Sequence, residues 1–401
     1  MARPLKRTGV RRRCATFNSG AASRLVPALG FSLFKSLLSS ASFVVAAAAI
    51  LSSICPAQTP PPDSLVSPEV HPDRTVTFRV RAPKASEVTL YGDWMPVGHP
   101  QPMTKGADGV WTIQTPPLEA NGHLYWFNLD GVAVPDPINP VVKLRQRSSA
   151  SLVEIPSHPP AAWELTDVPH GSVVTLWQPS RALDRTERTV VYLPPGYEKS
   201  SASYPVLYLV HGSGDVPESW VNAGHANFIL DNLIAQKKAR PMLIVMPAGH
   251  AVPYNSPPAL RQQNTKLFEQ YLTQEVIPLI DATFRTAPGA QNRALAGLSM
   301  GGGHTIYTGF QHPGLFSALG IFSPGLPGGI EPKMTDAGAV KLIWISCGDQ
   351  DNTVHYEHIK QWAEALKPEG VNKSFHTYAG AHTWPVWRMS LTDFAPLLFA
   401  Q

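Results

Sequence analysis

Two kinds of hydrophobic pattern divide the chain. Between about residues 67 and 156, short runs alternate apolar and polar positions, at 75–80, 87–91, 109–113, 123–127 and 151–155. Period-two alternation turns one side of a strand toward a core and the other toward solvent. Five such runs broken by turn residues predict a small immunoglobulin-like β-sandwich. From Trp163 onward the runs become continuous and apolar, and helical spacings separate them. Residues 188–193, 206–210, 242–246, 342–345 and 374–378 predict strands, the last two closing the series. Residues 227–234 and 267–280 have helical spacing, and Pro278 should bend or end the second helix. Strands buried on both faces with helices between them predict an α/β domain with a mostly parallel sheet.

The first 57 residues follow neither pattern. They hold eight Lys or Arg and no acid, then the apolar run 43–51, then the small-residue exit Cys55-Pro56-Ala57. That order predicts a secretory signal peptide and a secreted or periplasmic protein. The apolar run is shorter than the ~20 residues needed to span a bilayer, so no membrane association is expected once the signal is cleaved. The formal charge of +4 is carried by this leader. Without its eight bases, 25 remain against 29 acids, a net charge of −4. A nucleic-acid partner, which needs a basic surface, is therefore not expected. Thr59-Pro60-Pro61-Pro62 reads as a rigid linker. The expected organisation is a leader over 1–57, a β-sandwich module over 58–160 and an α/β domain over 161–401. Cys14 and Cys55 fall in the leader, so the mature chain would keep only Cys347, in an apolar strand, with no partner for an internal disulfide.

Candidate chemistry centres on Gly297-Leu298-Ser299-Met300-Gly301, a Gly-x-Ser-x-Gly elbow between an apolar strand pattern and a helix. Such an elbow forces a serine onto a sharp turn, and a Cβ on either flanking glycine would clash. No Gly-Lys-Ser/Thr follows, so the glycines are not a phosphate loop. A serine hydroxyl becomes a nucleophile when a histidine takes its proton and a carboxylate orients that histidine. In the α/β-hydrolase fold the chain order is serine, acid, histidine. Here the strand 342–345 leads into Asp349 and Asp351, and the strand 374–378 leads into His382. Asp349 directly follows Gly348 and can serve the turn, which favours Asp351 as the acid. The oxyanion hole would take one N–H from Met300 and one from the loop after the early strand, at Gly212 or Ser213. His376 lies within a strand. His355 and His358 lack further ligands at metal spacing, so neither a metal nor another cofactor is expected.

Four segments carry a family resemblance: 207–212, 241–247, 297–302 and His382-Thr383-Trp384-Pro385-Val386-Trp387-Arg388. Together they resemble the Putative esterase family, which takes in feruloyl and acetyl xylan esterases, enterochelin esterases and acyl transferases. The likeness runs across nearly all of 163–401 and implies an α/β-hydrolase fold, with Ser299 as nucleophile, His382 as base and Asp351 as orienting acid. Leu90-Tyr91-Gly92-Asp93-Trp94 and Asp136-Pro137-Ile138-Asn139-Pro140 are similar to early-set modules related to glycogen-binding domains. That likeness implies Trp94 as a glycan contact, against the alternative that it fills the sandwich. Trp220, Trp384 and Trp387 are candidates for a substrate subsite, with core packing as the alternative. The implied activity is a secreted serine esterase acting on a small-molecule or polysaccharide ester, with feruloyl or acetyl xylan groups first. A siderophore esterase, an acyl transferase and an inactive glucan-binding protein are the alternatives, and the oligomeric state is left open.

Overall fold

A computed structural model describes residues 65–326 and 338–399. The leader and the proline-rich linker lie outside the described residues. Pro62–Gln401 forms one compact unit, built from three hydrophobic cores.

The first core belongs to ten short strands: β1 (Glu69–Val70), β2 (Val76–Arg81), β3 (Val88–Gly92), β4 (Gln101–Pro102), β5 (Thr104–Lys105), β6 (Val110–Gln114), β7 (Gly122–Leu129), β8 (Val132–Val134), β9 (Val142–Lys143) and β10 (Ala150–Glu154). They form two antiparallel sheets, in the orders β1-β2-β6-β5 and β4-β3-β7-β10-β9, with β8 paired to β7. The alternation read from the sequence sends Val76, Phe78, Val80, Leu90, Tyr125 and Phe127 inward, where they pack as one cluster. This is the expected β-sandwich.

The second part is an eight-stranded sheet. Its strands are β11 (Ser172–Ser180), β12 (Arg185–Leu193), β13 (Val206–Val210), β14 (Leu243–Met246), β15 (Arg293–Leu298), β16 (Ala318–Phe322), β17 (Leu342–Gly348) and β18 (Asn372–Tyr378). Their order is β11-β12-β14-β13-β15-β16-β17-β18. Only β12 runs against its neighbours; β14 through β18 are mutually parallel. Among the described residues eight α-helices accompany it: α1 (Ser219–Asn222), α2 (Ala226–Ala235), α3 (Pro258–Arg261), α4 (Asn264–Tyr271), α5 (Ile277–Thr283), α6 (Met300–Gln311), α7 (Tyr356–Ala365) and α8 (Trp384–Phe394). In β13, Val206, Tyr208 and Val210 enter the core on one face, while Leu207 and Leu209 enter the core on the other. Burial on both faces explains why this strand reads as a continuous apolar run. The arrangement is the α/β-hydrolase fold.

Three elements differ from the sequence reading. β16 is a further strand between the elbow and β17, only five residues long, and β11 is a half-exposed edge strand. Pro278 neither ends nor sharply breaks its helix. Residues 272–276 adopt a π-helical turn and Pro278 falls in the first turn of α5, where its missing N–H leaves no gap in the bonding ladder.

Sandwich and sheet meet through buried polar contacts. The guanidinium of Arg388, on α8, is fully buried and grips Glu154 of β10 with two hydrogen bonds of 2.7 and 2.9 Å. It also donates to Asn121 Oδ1 at 3.2 Å and to the Ala223 carbonyl at 2.8 Å. Removing one partner of such a pair costs far more than the pair itself contributes, so the docking geometry is strongly specified.

Candidate active site

Ser299 occupies the turn between β15 and α6 with φ 53 and ψ −115, a conformation that L-residues avoid. Its N–H donates to the Phe322 carbonyl at 2.9 Å, and its own carbonyl accepts from Gly303 and Gly325 at 3.0 and 2.8 Å. The flanking glycines make this turn possible. A Cβ on Gly297 would come within 2.5 Å of the Gly301 backbone, and one on Gly301 within 2.4 Å of the Val210 carbonyl. Ser299 itself is only half-buried. Helix α6 starts at Met300, so the Met300 N–H has no partner within the helix and lies at its positive end.

His382 and Asp351 come from the loops after β18 and β17. His382 Nδ1 lies 2.7 Å from Asp351 Oδ2. The Asp351 carboxylate is buried, and its other oxygen accepts the N–H groups of Thr353 and Val354 at 3.1 and 3.2 Å. Burial pushes its pKa up, but the His382 hydrogen bond and charge and the Val354 N–H outweigh that and hold it below the ordinary carboxylate value. The carboxylate acceptor at Nδ1 places a proton on that nitrogen. Asp349 is exposed and its carboxylate accepts the Gly380 N–H at 2.9 Å, tying the two loops together. Cys347, buried beside Asp351, has its thiol pushed up to about 12 by burial and stays protonated.

The loop after β13 supplies the fourth part. Asp215 N–H donates to the Gly212 carbonyl at 3.2 Å and Gly214 has φ +78, so residues 212–215 form a turn that suits glycine at its third position. A Cβ built on Gly212 would lie 3.4 Å from Ser299 Cβ, which places this turn against the elbow. Ser213 is exposed at its tip.

Three buried histidines behind this turn were not singled out from the sequence. Gly249 N–H donates to His211 Nε2 at 2.9 Å, so His211 carries its proton on Nδ1 and donates it to the Gly212 carbonyl, also at 2.9 Å. Gly214 N–H donates to His250 Nε2 at 2.9 Å. His304 Nε2 lies 3.0 Å from the Gly249 carbonyl, its ring stacked on Phe268. Burial pushes His211 and His250 down to about 4 and His304 to about 3. All three are neutral at pH 7, as the acceptor roles of His211 and His250 require; His304 donates to the Gly249 carbonyl. A conserved-looking spacing could not have revealed them, because they lie 211, 250 and 304 along the chain and converge only in the fold.

The tryptophans proposed as subsites are buried. Trp220 and Trp384 are buried edge to face, 5.2 Å apart, and Trp387 packs edge-on to both Trp384 and His382. Their rings fill the second core beneath the site and offer no open face to a substrate. Trp94 is half-buried, stacks on Phe78 at 5.9 Å and covers Gly92. Among the described residues no cluster of three or more His, Cys, Asp or Glu could hold a metal, and no helix is long and apolar enough to cross a membrane.

The sequence profile of the family described as Putative esterase matches residues 180–398. The chain belongs to this esterase family. Over 343 residues it is 35% identical to a protein of Xylanibacter ruminicola named endo-1,4-beta-xylanase/feruloyl esterase, covering 83% of this chain and 46% of that one. An esterase of Mycobacterium tuberculosis is 31% identical over 133 residues, 33% of this chain and 28% of its own. The esterase chain thus spans less than half the length of these relatives. Among solved structures it resembles an enterobactin esterase of Shigella flexneri, at 20% identity and TM-score 0.61 over 80% of this chain and 92% of the other. A ferulic acid esterase of Anaeromyces mucronatus matches at 22% identity and TM-score 0.54, over 60% and 96%. At these identities the two structures speak for the fold.

The buried histidines predict acid sensitivity. Their ordinary value is 6.5, so an unfolded chain binds protons near that pH that the folded chain refuses until about 4. Stability is then full above about pH 6.5 and falls as pH drops toward 4. His123 works oppositely. Burial lowers its pKa, but Asp93 outweighs this and raises it. His123 is already protonated in both states by pH 5, so urea unfolding at several pH values should show uptake of about three protons per chain by these histidines near pH 5, roughly 1.4 kcal/mol per pH unit for each. A flat profile between pH 7 and 4.5 would contradict the neutral assignment.

Proposed function

We propose that this esterase is secreted and uses Ser299, His382 and Asp351 to remove feruloyl or acetyl groups from xylan-type plant polysaccharide. The observation that carries the mechanism is the His382–Asp351 hydrogen bond of 2.7 Å in the loops beside the strained Ser299 turn. In this reading His382 Nε2 takes the proton from Ser299 Oγ as the oxygen attacks the ester carbonyl. The oxyanion is met by the Met300 N–H at the start of α6 and by an N–H of the Gly212–Ser213 turn. His382 then gives its proton to the departing alcohol, and water repeats the cycle on the acyl-serine, releasing the acid. Asp351, already ionised and buried, holds the imidazole in the required tautomer and stabilises the imidazolium.

The substrate class is supported by the Xylanibacter ruminicola relative, whose name includes a feruloyl esterase and which aligns with both the sandwich and the α/β domain. The charge of −4 outside the leader disfavours a triply anionic ferric siderophore as the natural ester. Export is supported by the basic-then-apolar leader.

Purified protein should turn over a feruloyl ester and acetylated xylan, with ferric enterobactin a poor substrate. Ser299→Ala should abolish turnover while leaving the unfolding curve close to wild type. No wild-type activity on any ester would sink the reading, and activity surviving in Ser299→Ala would remove the nucleophile. For the acid, Asp351→Asn should lower kcat by roughly 10²–10⁴ through the wrong histidine tautomer. Asp349→Asn should cost about tenfold or less, since only a loop hydrogen bond is lost; a larger loss than at Asp351 would reverse the assignment.

A further inference from the structure

Residues 143–147 carry the β-sandwich against the turn beside the proposed active site. Lys143, at the end of β9, is buried, and its ammonium donates to Asp215 Oδ1. The same ammonium lies 5.5 Å from the centre of the Trp384 ring. Asp215 closes the turn that begins at Gly212, and Trp384 opens α8 two residues after His382. A single cation from the sandwich is thus wedged between the loop offering oxyanion donors and the loop offering the base.

The contact continues along the segment. Gln146 N–H donates to the Gly214 carbonyl at 2.8 Å, and the Gln146 side-chain amide reaches the Asp215 carbonyl at 3.4 Å. Arg147 donates to Asn255 Oδ1 at 3.0 Å and covers the Tyr254 ring at 5.3 Å. Tyr254 in turn meets His250 edge-on at 5.4 Å, and His250 accepts the Gly214 N–H. The turn is therefore held from the sheet side by His211 and His250 and from the sandwich side by Lys143 and Gln146. Docking of the two parts is supplied elsewhere, by Arg388 and Glu154. A buried Lys–Asp pair is a poor source of stability, because desolvation offsets its attraction. What it does supply is a fixed position.

We infer that residues 143–147 are a positioning strap for ester cleavage: Lys143 and Gln146 hold the 212–215 turn at the height its N–H needs to meet the oxyanion. The sandwich is then a working part of the site, whatever glycan it does or does not bind. The inference rests on the serine-esterase reading for its catalytic consequence, though not for the restraint itself.

Full-length Lys143→Met, Lys143→Arg and the double variant Lys143→Met/Asp215→Leu test it, with Ser299→Ala as reference. Two quantities are read: kcat and KM on a soluble aryl ester, and amide hydrogen exchange of the peptide spanning 212–216. Lys143→Met should lower kcat about 10- to 100-fold, the scale of a 1 Å misplacement, with KM changed less than about threefold. Exchange over 212–216 should speed up about tenfold or more while that of β13 stays unchanged. Lys143→Arg should recover most of kcat. The double variant leaves no unpaired buried charge and so should fold, yet kcat should remain about tenfold down. Wild-type kcat together with wild-type protection of 212–216 in the double variant overturns the strap. Exchange needs no turnover, so an inactive wild type would defeat the esterase reading while exchange alone still decides the restraint: faster exchange in Lys143→Met supports it, unchanged exchange refutes it.

Discussion

The site depends on a serine held where its backbone does not want to be. At φ 53 and ψ −115, Ser299 carries strain of about 1–3 kcal/mol that only the surrounding structure can maintain. Strand β15 presses it from one side and α6 leaves at a sharp angle on the other, close enough that Gly297 and Gly301 have no room for side chains. The hydrogen bonds from Ser299 N–H to Phe322 and to its carbonyl from Gly303 and Gly325 lock the turn. Next to that turn stand a helix start with the Met300 N–H at its first position and the Gly212 turn after β13, packed against the elbow.

Around this point the protein relies on neutral polar groups behind and charged ones in front. Buried His211 and His250 accept the Gly249 and Gly214 N–H groups, a role that survives only while they are uncharged, and His304 donates to the Gly249 carbonyl. Asp351 is the reverse case, a buried carboxylate kept ionised by His382 and two N–H groups. The sandwich joins this arrangement through Lys143 and Arg388, two buried cations that each satisfy an acid across the boundary. It is continuous with the catalytic body in packing as well, since Leu124 of β7 lies against the core beneath the site.

Much of this was legible in the residues. Alternation placed β2, β3, β6, β7 and β10 of the sandwich within a residue or two but missed β1, β4, β5, β8 and β9, and continuous apolar runs located β12, β13, β14 and β17, because strand burial on one face or two writes itself directly into period. β16 escaped because five buried residues including Gly320 resemble a loop remnant, and β11 because an edge strand is half polar. The elbow, Asp351 and His382 could be named since each sits in a local strand-to-loop context. The tryptophans could not be assigned, as an indole fills a core and lines a cleft with the same composition. Least visible were Lys143 with Asp215, 72 residues apart, and the histidine cluster. Such pairs have no local period, and only the fold brings them together.

The central claim is that an acyl group passes through Ser299. Rapid quenching of the protein with a slowly deacylating feruloyl ester, followed by peptide mass analysis, tests this directly. The account predicts one acyl increment per chain, on the peptide containing Ser299, formed faster than steady-state turnover and absent in His382→Ala. Turnover of that ester with Ser299 left unmodified at every time point, or an acyl group found on another residue, would contradict it.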